Sequence, residues 1–382
     1  MHILYIYPEF TIKGGADKVI LEKANYFVHH GYEVTIVTEA QMGREFSFPV
    51  EPAIRHVDMG LDFNRQYSQG LFGRAITYFS LMYKYKHQLE KVLYKLKPDI
   101  VIIALGRSID FITSIKDGSV KIGEAHCIKA HLRSFYLLEK RNFLYRMVAR
   151  FMRWRTHIHI SQLDALVLLT QQDADDWAKI RKKYVIPNAI PSIPETASAL
   201  KNKQVIMVGR YNDAKGYEYL IPAWRIIHHR HPDWTLHIYG SGEMETLVAN
   251  WIKEKNLENS MIMHVPTEHI MEKYLESSVC MMSSRYDAFP MVLLEAMVCG
   301  VPCVTFDCPY GPRNIIKNEQ DGLLVEYLNS QALADGVCRL IEDDKLRMQF
   351  GLNARSNIRR FSQDIIMEQW DNLFSHLVKK QK

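Results

Sequence analysis

The chain has 382 residues, 47% of them hydrophobic and 24% charged, which is too long for one ordinary core and too apolar for disorder, so two folded domains are expected. No apolar run approaches the roughly 18 to 20 residues of a membrane span, and a net charge of +5 does not by itself mark a nucleic-acid binder. The six cysteines, at 127, 280, 299, 303, 308 and 338, include no Cys-x-x-Cys pair of the structural-zinc kind and read as reduced, mostly buried thiols of a cytosolic protein.

Apolar runs of strand length lie at residues 2–7, 33–38, 100–105, 121–125 and 165–170, with helical periodicity at 18–30 and 78–96. The first run begins at the amino terminus without a basic leader or cleavage site and is expected to be a strand, not a signal peptide. Strands alternating with helices predict an α/β unit with a parallel sheet covered on both faces.

Between the fourth and fifth runs the charge is uneven. Arg133, Lys140, Arg141, Arg146, Arg150, Arg153 and Arg155 stand against one acid, Glu139, and are interleaved with Phe135, Tyr136, Phe143, Tyr145, Phe151 and Trp154. A basic, aromatic stretch of helical length can lie on an anionic membrane surface, or it can be a solvated helix face with an ordinary core stripe. Both readings stand at this level. No nucleic-acid module accompanies the patch, so nucleic acid is not expected as a partner.

The prolines at 187 and 191 and the polar residues 192–203 have the composition of a linker. A second series of strand-length runs follows at 204–208, 235–239, 261–264, 279–283, 302–306 and 322–325, alternating with helical stretches at 217–229, 244–255, 268–276, 291–299 and 331–343. The predicted organisation is a first Rossmann-like domain over 1–187, a linker over 188–203, a second Rossmann-like domain over 204–361, and a last helix over 362–382 with Ile366, Trp370, Phe374 and Leu377 on one stripe. Ligands of open parallel sheets bind outside the carboxyl ends of the strands, so the active site is expected to face a cleft between the two domains.

The most informative segment runs from Ser283 to Pro302 and contains Asp287-Ala288-Phe289-Pro290-Met291-Val292-Leu293-Leu294-Glu295-Ala296-Met297. It reads as strand end, loop and helix, with Pro290 placed in the helix's first turn, where a missing N–H costs nothing. A helix start of this kind offers free N–H groups and a positive dipole end to a diphosphate. Glu295, further along, can accept both hydroxyls of a ribose, and Asp287 can reach a sugar or its phosphate. Gly209-Arg210 and Lys215-Gly216 follow the first strand of the second domain and deliver two cations able to neutralise a departing nucleoside diphosphate without a metal. The one Asp-x-Asp triplet, Asp173-Ala174-Asp175, has the pattern that clamps a metal on a diphosphate in other transferases, but it opens a helical stretch, and capping that helix is the expected job.

This segment resembles the signature of glycosyltransferase family 4, whose members have the GT-B fold of two Rossmann-like domains facing across a cleft. In the family two glutamates eight positions apart flank a Gly-Phe-Pro element; here the first acid is Asp287 and the glycine is Ala288. The resemblance extends to the Gly-Arg and Lys-Gly pairs, to the turn Tyr239-Gly240-Ser241-Gly242, and to Lys13-Gly14-Gly15 after the first strand, which the family sets against the donor phosphate or the acceptor. It also extends to the string from Asp307 to Ile316, similar to the capsule, lipopolysaccharide and glycan-assembly branch, although Asn314 stands where that branch often has Glu.

The resemblance implies a cytoplasmic retaining hexosyltransferase, soluble or peripheral on the inner face of the plasma membrane through 133–155, with a C-terminal helix that returns to the first domain. Its co-substrate would be a nucleoside diphosphate sugar, most commonly of UDP, its acceptor a glycan or polyprenyl-linked glycan, and it would need no cofactor or metal. Donor-binding residues carried over are Gly14, Gly15, Arg210, Lys215, Asp287, Phe289, Pro290, Met291, Val292, Leu293 and Glu295. Catalysis would involve Arg210, Lys215, Asp287 and His126, the last read as ending the strand over 121–125 and facing the donor sugar. A nucleotide-sugar 2-epimerase and a non-catalytic sugar-binding subunit share the fold and remain the alternatives.

Overall fold

The structure is a computed structural model and describes residues 1–11, 14–68, 70–140, 142–190 and 193–380, with only the backbone at residues 67, 68, 71 and 72. The chain divides into two compact units, Met1–Ile186 with Met367–Lys382, and Pro187–Ile366. Residues 188–203 group with the second unit.

Among the described residues the first unit holds seven strands: β1 (His2–Tyr7), β2 (Glu33–Thr38), β3 (Arg55–Asp58), β4 (Ile100–Ile103), β5 (Val120–Glu124), β6 (Ala165–Leu168) and β7 (Lys183–Val185). They form one sheet in the order β3-β2-β1-β4-β5-β6-β7, and every pairing is parallel. β1, β4, β5 and β6 are buried almost throughout because helices cover both faces, and β5 alone among them brings charged side chains, Lys121 and Glu124, inside. The edge strands β3 and β7 are partly exposed or open and carry no apolar run, so they were not foreseen. Strand β4 also stops two residues short of the expected 105, where Leu105 turns into positive φ.

Helix Gly15–His29 follows β1 and buries Val19, Ile20, Leu21, Ala24 and Phe27. Helix Gln363–Lys379 returns to this unit: Phe374 packs on Phe27 with ring centroids 5.3 Å apart, and the Tyr32 hydroxyl donates to Asp371 at 2.6 Å.

The second unit holds β8 (Gln204–Val208), β9 (Thr235–Tyr239), β10 (Met261–His264), β11 (Val279–Met282), β12 (Cys303–Phe306) and β13 (Gly322–Val325), in the order β10-β9-β8-β11-β12-β13, again all parallel. This is the doubly wound order in which the chain direction across the sheet reverses between β8 and β11. Helix Tyr217–Arg230 covers one face with Leu220, Ile221, Ala223, Trp224 and Ile227. All six cysteines are free, and all but Cys127 are buried.

Candidate active site

At a switch point the loops leaving two adjacent strands turn to opposite faces, which opens a crevice at their carboxyl ends. In the second unit those are the loops after β8 and β11, and they are bonded to each other. The Arg285 N–H donates to the Ala214 carbonyl at 2.8 Å, and the Ser283 hydroxyl donates to the Lys215 carbonyl at 2.8 Å. Such a close approach requires Gly216, whose φ is +63° and whose added Cβ would stand 2.2 Å from the Ser283 carbonyl oxygen. The Lys-Gly pair is therefore a cation followed by the residue that lets its loop touch the next.

Lys215 and Asp287, 72 residues apart in sequence, meet here with Nζ 2.8 Å from Oδ2, and their side chains are 17% and 19% exposed. An ammonium has three donors, so this bond orients Lys215 and leaves it capacity for an anion. Arg210, on the same loop, is exposed and has no ion pair among the described residues. Arg285 instead is spent internally on Glu218, with Nε 2.6 Å from the carboxylate.

Pro290 occupies the N-cap position of helix Met291–Val298, one place earlier than expected, and no side chain caps the helix. The first N–H groups thus remain available at its positive end. Of the residues expected to bind donor, Phe289 and Leu293 have buried side chains, with Phe289 edge-on to Phe361 at 5.3 Å, and Val292 is half-buried. What they can offer a ligand is backbone. Glu295 is buried, and its Oε2 accepts from the Tyr274 hydroxyl at 3.4 Å. Burial first, and then the Glu295 charge, push the Tyr274 phenol well above its ordinary value, so it stays a donor.

The string from Asp307 to Ile316 braces this loop. The Gly311 N–H donates to the Asp287 carbonyl at 2.9 Å, and a Cβ on Gly311 would stand 2.3 Å from the Pro290 ring. Tyr310, a non-glycine residue, is held at φ +78°, a conformation that persists only where its surroundings enforce it. Asn314 turns its amide back to the Tyr310 carbonyl at 2.6 Å. Ser284 and Asn212, which the sequence reading passed over, carry buried side-chain oxygens with no hydrogen-bond partner among the described residues. They lie on the same two loops, and buried polar atoms of this kind ask for a ligand or solvent. Nothing in their sequence neighbourhood sets them apart.

In the first unit Gly14 is the N-cap of helix Gly15–His29 and Gly15 is exposed; Lys13 lies outside the described residues. Asp17 in that helix's first turn is buried and accepts from the Tyr7 hydroxyl at 2.9 Å and the Ser47 hydroxyl at 3.2 Å. His126 lies two residues beyond the end of β5, which stops at Glu124. Its Nε2 is 3.5 Å from Glu124 Oε1. Glu124 is also bonded to the buried Lys23, over which the Trp370 ring sits at 4.0 Å. Burial alone would raise the Glu124 carboxyl, but Lys23 and then His126 hold it at about 2.

The Asp-x-Asp triplet does not cap its helix. Thr170 is the N-cap, its hydroxyl accepting from the Asp173 N–H at 3.2 Å, because a threonine three residues upstream reaches that donor and Asp173 itself is already helical. Asp173 accepts from the Lys129 N–H at 3.3 Å, and Asp175 from Gln171 at 2.8 Å.

Residues 191–357 match the family model described as Glycosyl transferases group 1. The chain is 34% identical over 225 residues to an exopolysaccharide phosphotransferase of Streptomyces coelicolor, an alignment covering 57% of this chain and 24% of that one. It is 31% identical over 222 residues to the amylovoran biosynthesis glycosyltransferase AmsD of Erwinia amylovora, covering 56% and 62%. It thus spans less than two thirds of either relative. A solved structure of a TarM mutant from S. aureus in complex with Fondaparinux, alpha-GlcNAc-glycerol and UDP superposes with a TM-score of 0.75 at 17% identity, covering 98% of this chain and 99% of that one. The two parallel-sheet units are those of the GT-B fold.

Proposed function

We propose that the protein is a glycosyltransferase that moves a hexosyl group from a UDP-sugar to a glycan or lipid-linked acceptor in the assembly of a cell-surface polysaccharide, with retention at the anomeric carbon. The observation that carries this reading is the oriented but unsaturated Lys215 beside an uncapped helix start at the switch point of the second unit. The match of residues 191–357 to group 1 transferases covers that site, and AmsD and TarM supply the polysaccharide context and the nucleotide.

The diphosphate takes the remaining donors of Lys215, the Arg210 guanidinium and the N–H groups at Met291 and Val292; the ribose hydroxyls go to Glu295. Charge grows on the diphosphate as the glycosidic bond breaks, and cations fixed beforehand stabilise that change more than they stabilise the bound donor. No metal is required on this account. The acceptor hydroxyl attacks from the face the diphosphate leaves, and a phosphate oxygen takes its proton. On this reading His126 holds a sugar hydroxyl.

Thermal-shift titration with UDP, followed by turnover of UDP-sugars with and without acceptor in the presence of a chelator, tests the reading. Stabilisation by UDP and acceptor-dependent, chelator-insensitive transfer are expected. A new sugar nucleotide formed from donor alone would make the protein an epimerase, and binding without any turnover would make it a non-catalytic subunit.

A further inference from the structure

Helices Tyr217–Arg230 and Ser330–Glu342 of the second unit pack against each other, and where both end three side chains with metal-ligating atoms converge. His231 is the C-cap of the first helix. Cys338 and Glu342 lie four residues apart on the second, hence on the same side of it. The His231 Nε2 stands 2.9 Å from the Glu342 Oε1, 111 residues on, and the ligand atoms of all three residues lie within 4.8 Å of one another. Among the described residues no other such group occurs. No short motif marks it, since its donors come from two helices.

The group is graded from core to solvent. Cys338 is 2% exposed at the rim of the unit's core, the His231 side chain is 18% exposed and that of Glu342 58%. Zinc holds sulfur, nitrogen and oxygen at about 2.0–2.3 Å, so its ligand atoms stand about 3.3–3.8 Å apart, a spacing the exposed Glu342 carboxylate is free to adopt. A cysteine that only filled space would meet apolar neighbours, whereas Cys338 has Arg230, Asp335 and Glu342 around it as well as His231. Burial pushes its thiol up from the ordinary value, and the Arg230 guanidinium works against that. Arg230 is itself matched by Asp335, with Nη1 2.7 Å from Oδ1. A thiolate and a carboxylate together balance the charge of a divalent ion.

We propose that His231, Cys338 and Glu342 form a structural zinc site, with water as the fourth ligand. Sulfur and imidazole select zinc over magnesium and calcium, which take oxygen ligands. As the zinc–sulfur bond forms, the thiol releases its proton to solvent. Both helices run back from the carboxyl ends of the strands, so they end at the opposite edge of the sheet from Lys215 and the helix start at Met291. The ion clamps two helices and takes no part in donor chemistry. Its binding is scored without nucleotide or turnover, so its failure would leave the donor reading intact.

Titration of the chelator-treated full chain with Co²⁺ tests it. A thiolate-to-cobalt charge-transfer band is expected in the near ultraviolet, and equimolar Zn²⁺ should remove it. Cys338→Ser should abolish the band, and Cys127→Ser, in the other unit, should keep it. His231→Gln and Glu342→Gln alter less buried side chains, so the fold should persist. Each should weaken zinc binding by at least the roughly 10–100-fold that loss of an outer-sphere partner costs. Zinc well above its Kd should raise the wild-type melting temperature, and the same concentration of Mg²⁺ should not. The proposal is overturned by the absence of the band, by a band that survives Cys338→Ser or is lost in Cys127→Ser, or by unchanged zinc affinity in either glutamine variant.

Discussion

Each unit contains a lysine–carboxylate pair that joins parts of its sequence more than 70 residues apart, and the two are built differently. Lys23 and Glu124 are 2% and 3% exposed and lie under the Trp370 ring. Lys215 and Asp287 are 17% and 19% exposed at the ends of two loops. A sealed pair has little room for another partner and fixes the elements around it, here the first helix, the end of β5 and the returning C-terminal helix. A pair with solvent access can exchange part of its coordination for a ligand. The contrast makes the first pair architectural and the second the one able to serve the chemistry proposed above.

Glu124→Gln should break the sealed pair with the largest effect on stability, about 3–5 kcal/mol, because it leaves the Lys23 ammonium buried without its counter-charge. A denaturant titration reads this directly. The carboxyl is held at about 2 in the folded chain against an ordinary 4.5. A depressed folded value makes its contribution full above about 4.5 and progressively lost as pH falls towards 2, so the wild type and the glutamine variant should converge in acid. A variant as stable as wild type at neutral pH would remove the architectural reading.

Lys215→Met should do the reverse. Removing a partly exposed pair costs about 0–1 kcal/mol of stability, while loss of a positioned donor to the leaving group should lower kcat by about 10²–10³. Steady-state kinetics with the UDP-sugar identified by thermal shift makes the comparison. A Lys215 variant with a raised KM and an unchanged kcat would mean that the cation binds the ground state only.

How far the sequence announces this contrast differs between its halves. Strands β1, β2, β8, β9, β10 and β13 have the bounds expected from their apolar runs: a strand buried on both faces is selected for apolar continuity, and the partly buried edge strands β10 and β13 happen to keep such runs. The edge strands β3 and β7 have no such requirement, and nothing in Arg55–Asp58 or Lys183–Val185 marks them. Lys215, Asp287 and Glu295 were legible through motif resemblance, but the bond between Lys215 and Asp287 was not, since it depends on strand order and on Gly216. The sealed pair escaped altogether: a lysine in a helical stretch reads as a solvated face until the C-terminal helix is placed over it. The stripe from Phe143 to Trp154 was equally ambiguous, because periodicity reveals a stripe but not which way it faces.

Gly216→Ala sharpens the comparison from the backbone. Alanine at φ +63° with its Cβ 2.2 Å from the Ser283 oxygen should destabilise the second unit by about 1–3 kcal/mol and push the two loops apart. Transfer activity should fall even at temperatures where the chain remains folded. The first unit's pair should be untouched, so an acid titration of stability should keep the Glu124 transition.

The smallest effect tests what a buried carboxylate does without a cation against it. Asp173 is as buried as Glu124, but its neighbours are the Lys129 N–H and a second acid, Asp176; burial therefore dominates and pushes it up to about 6 from an ordinary 3.8. A folded value above the unfolded one means the folded chain binds the proton more tightly. Stability from this site is thus present below about pH 3.8 and lost as pH rises through about 6. Asp173→Asn keeps an acceptor for the Lys129 N–H and removes the charge, so at pH 8 it should raise stability by about 1–3 kcal/mol, with the gain vanishing below pH 4. Identical melting temperatures at pH 8 would show that Asp173 is not desolvated, and that burial alone does not separate the two acids.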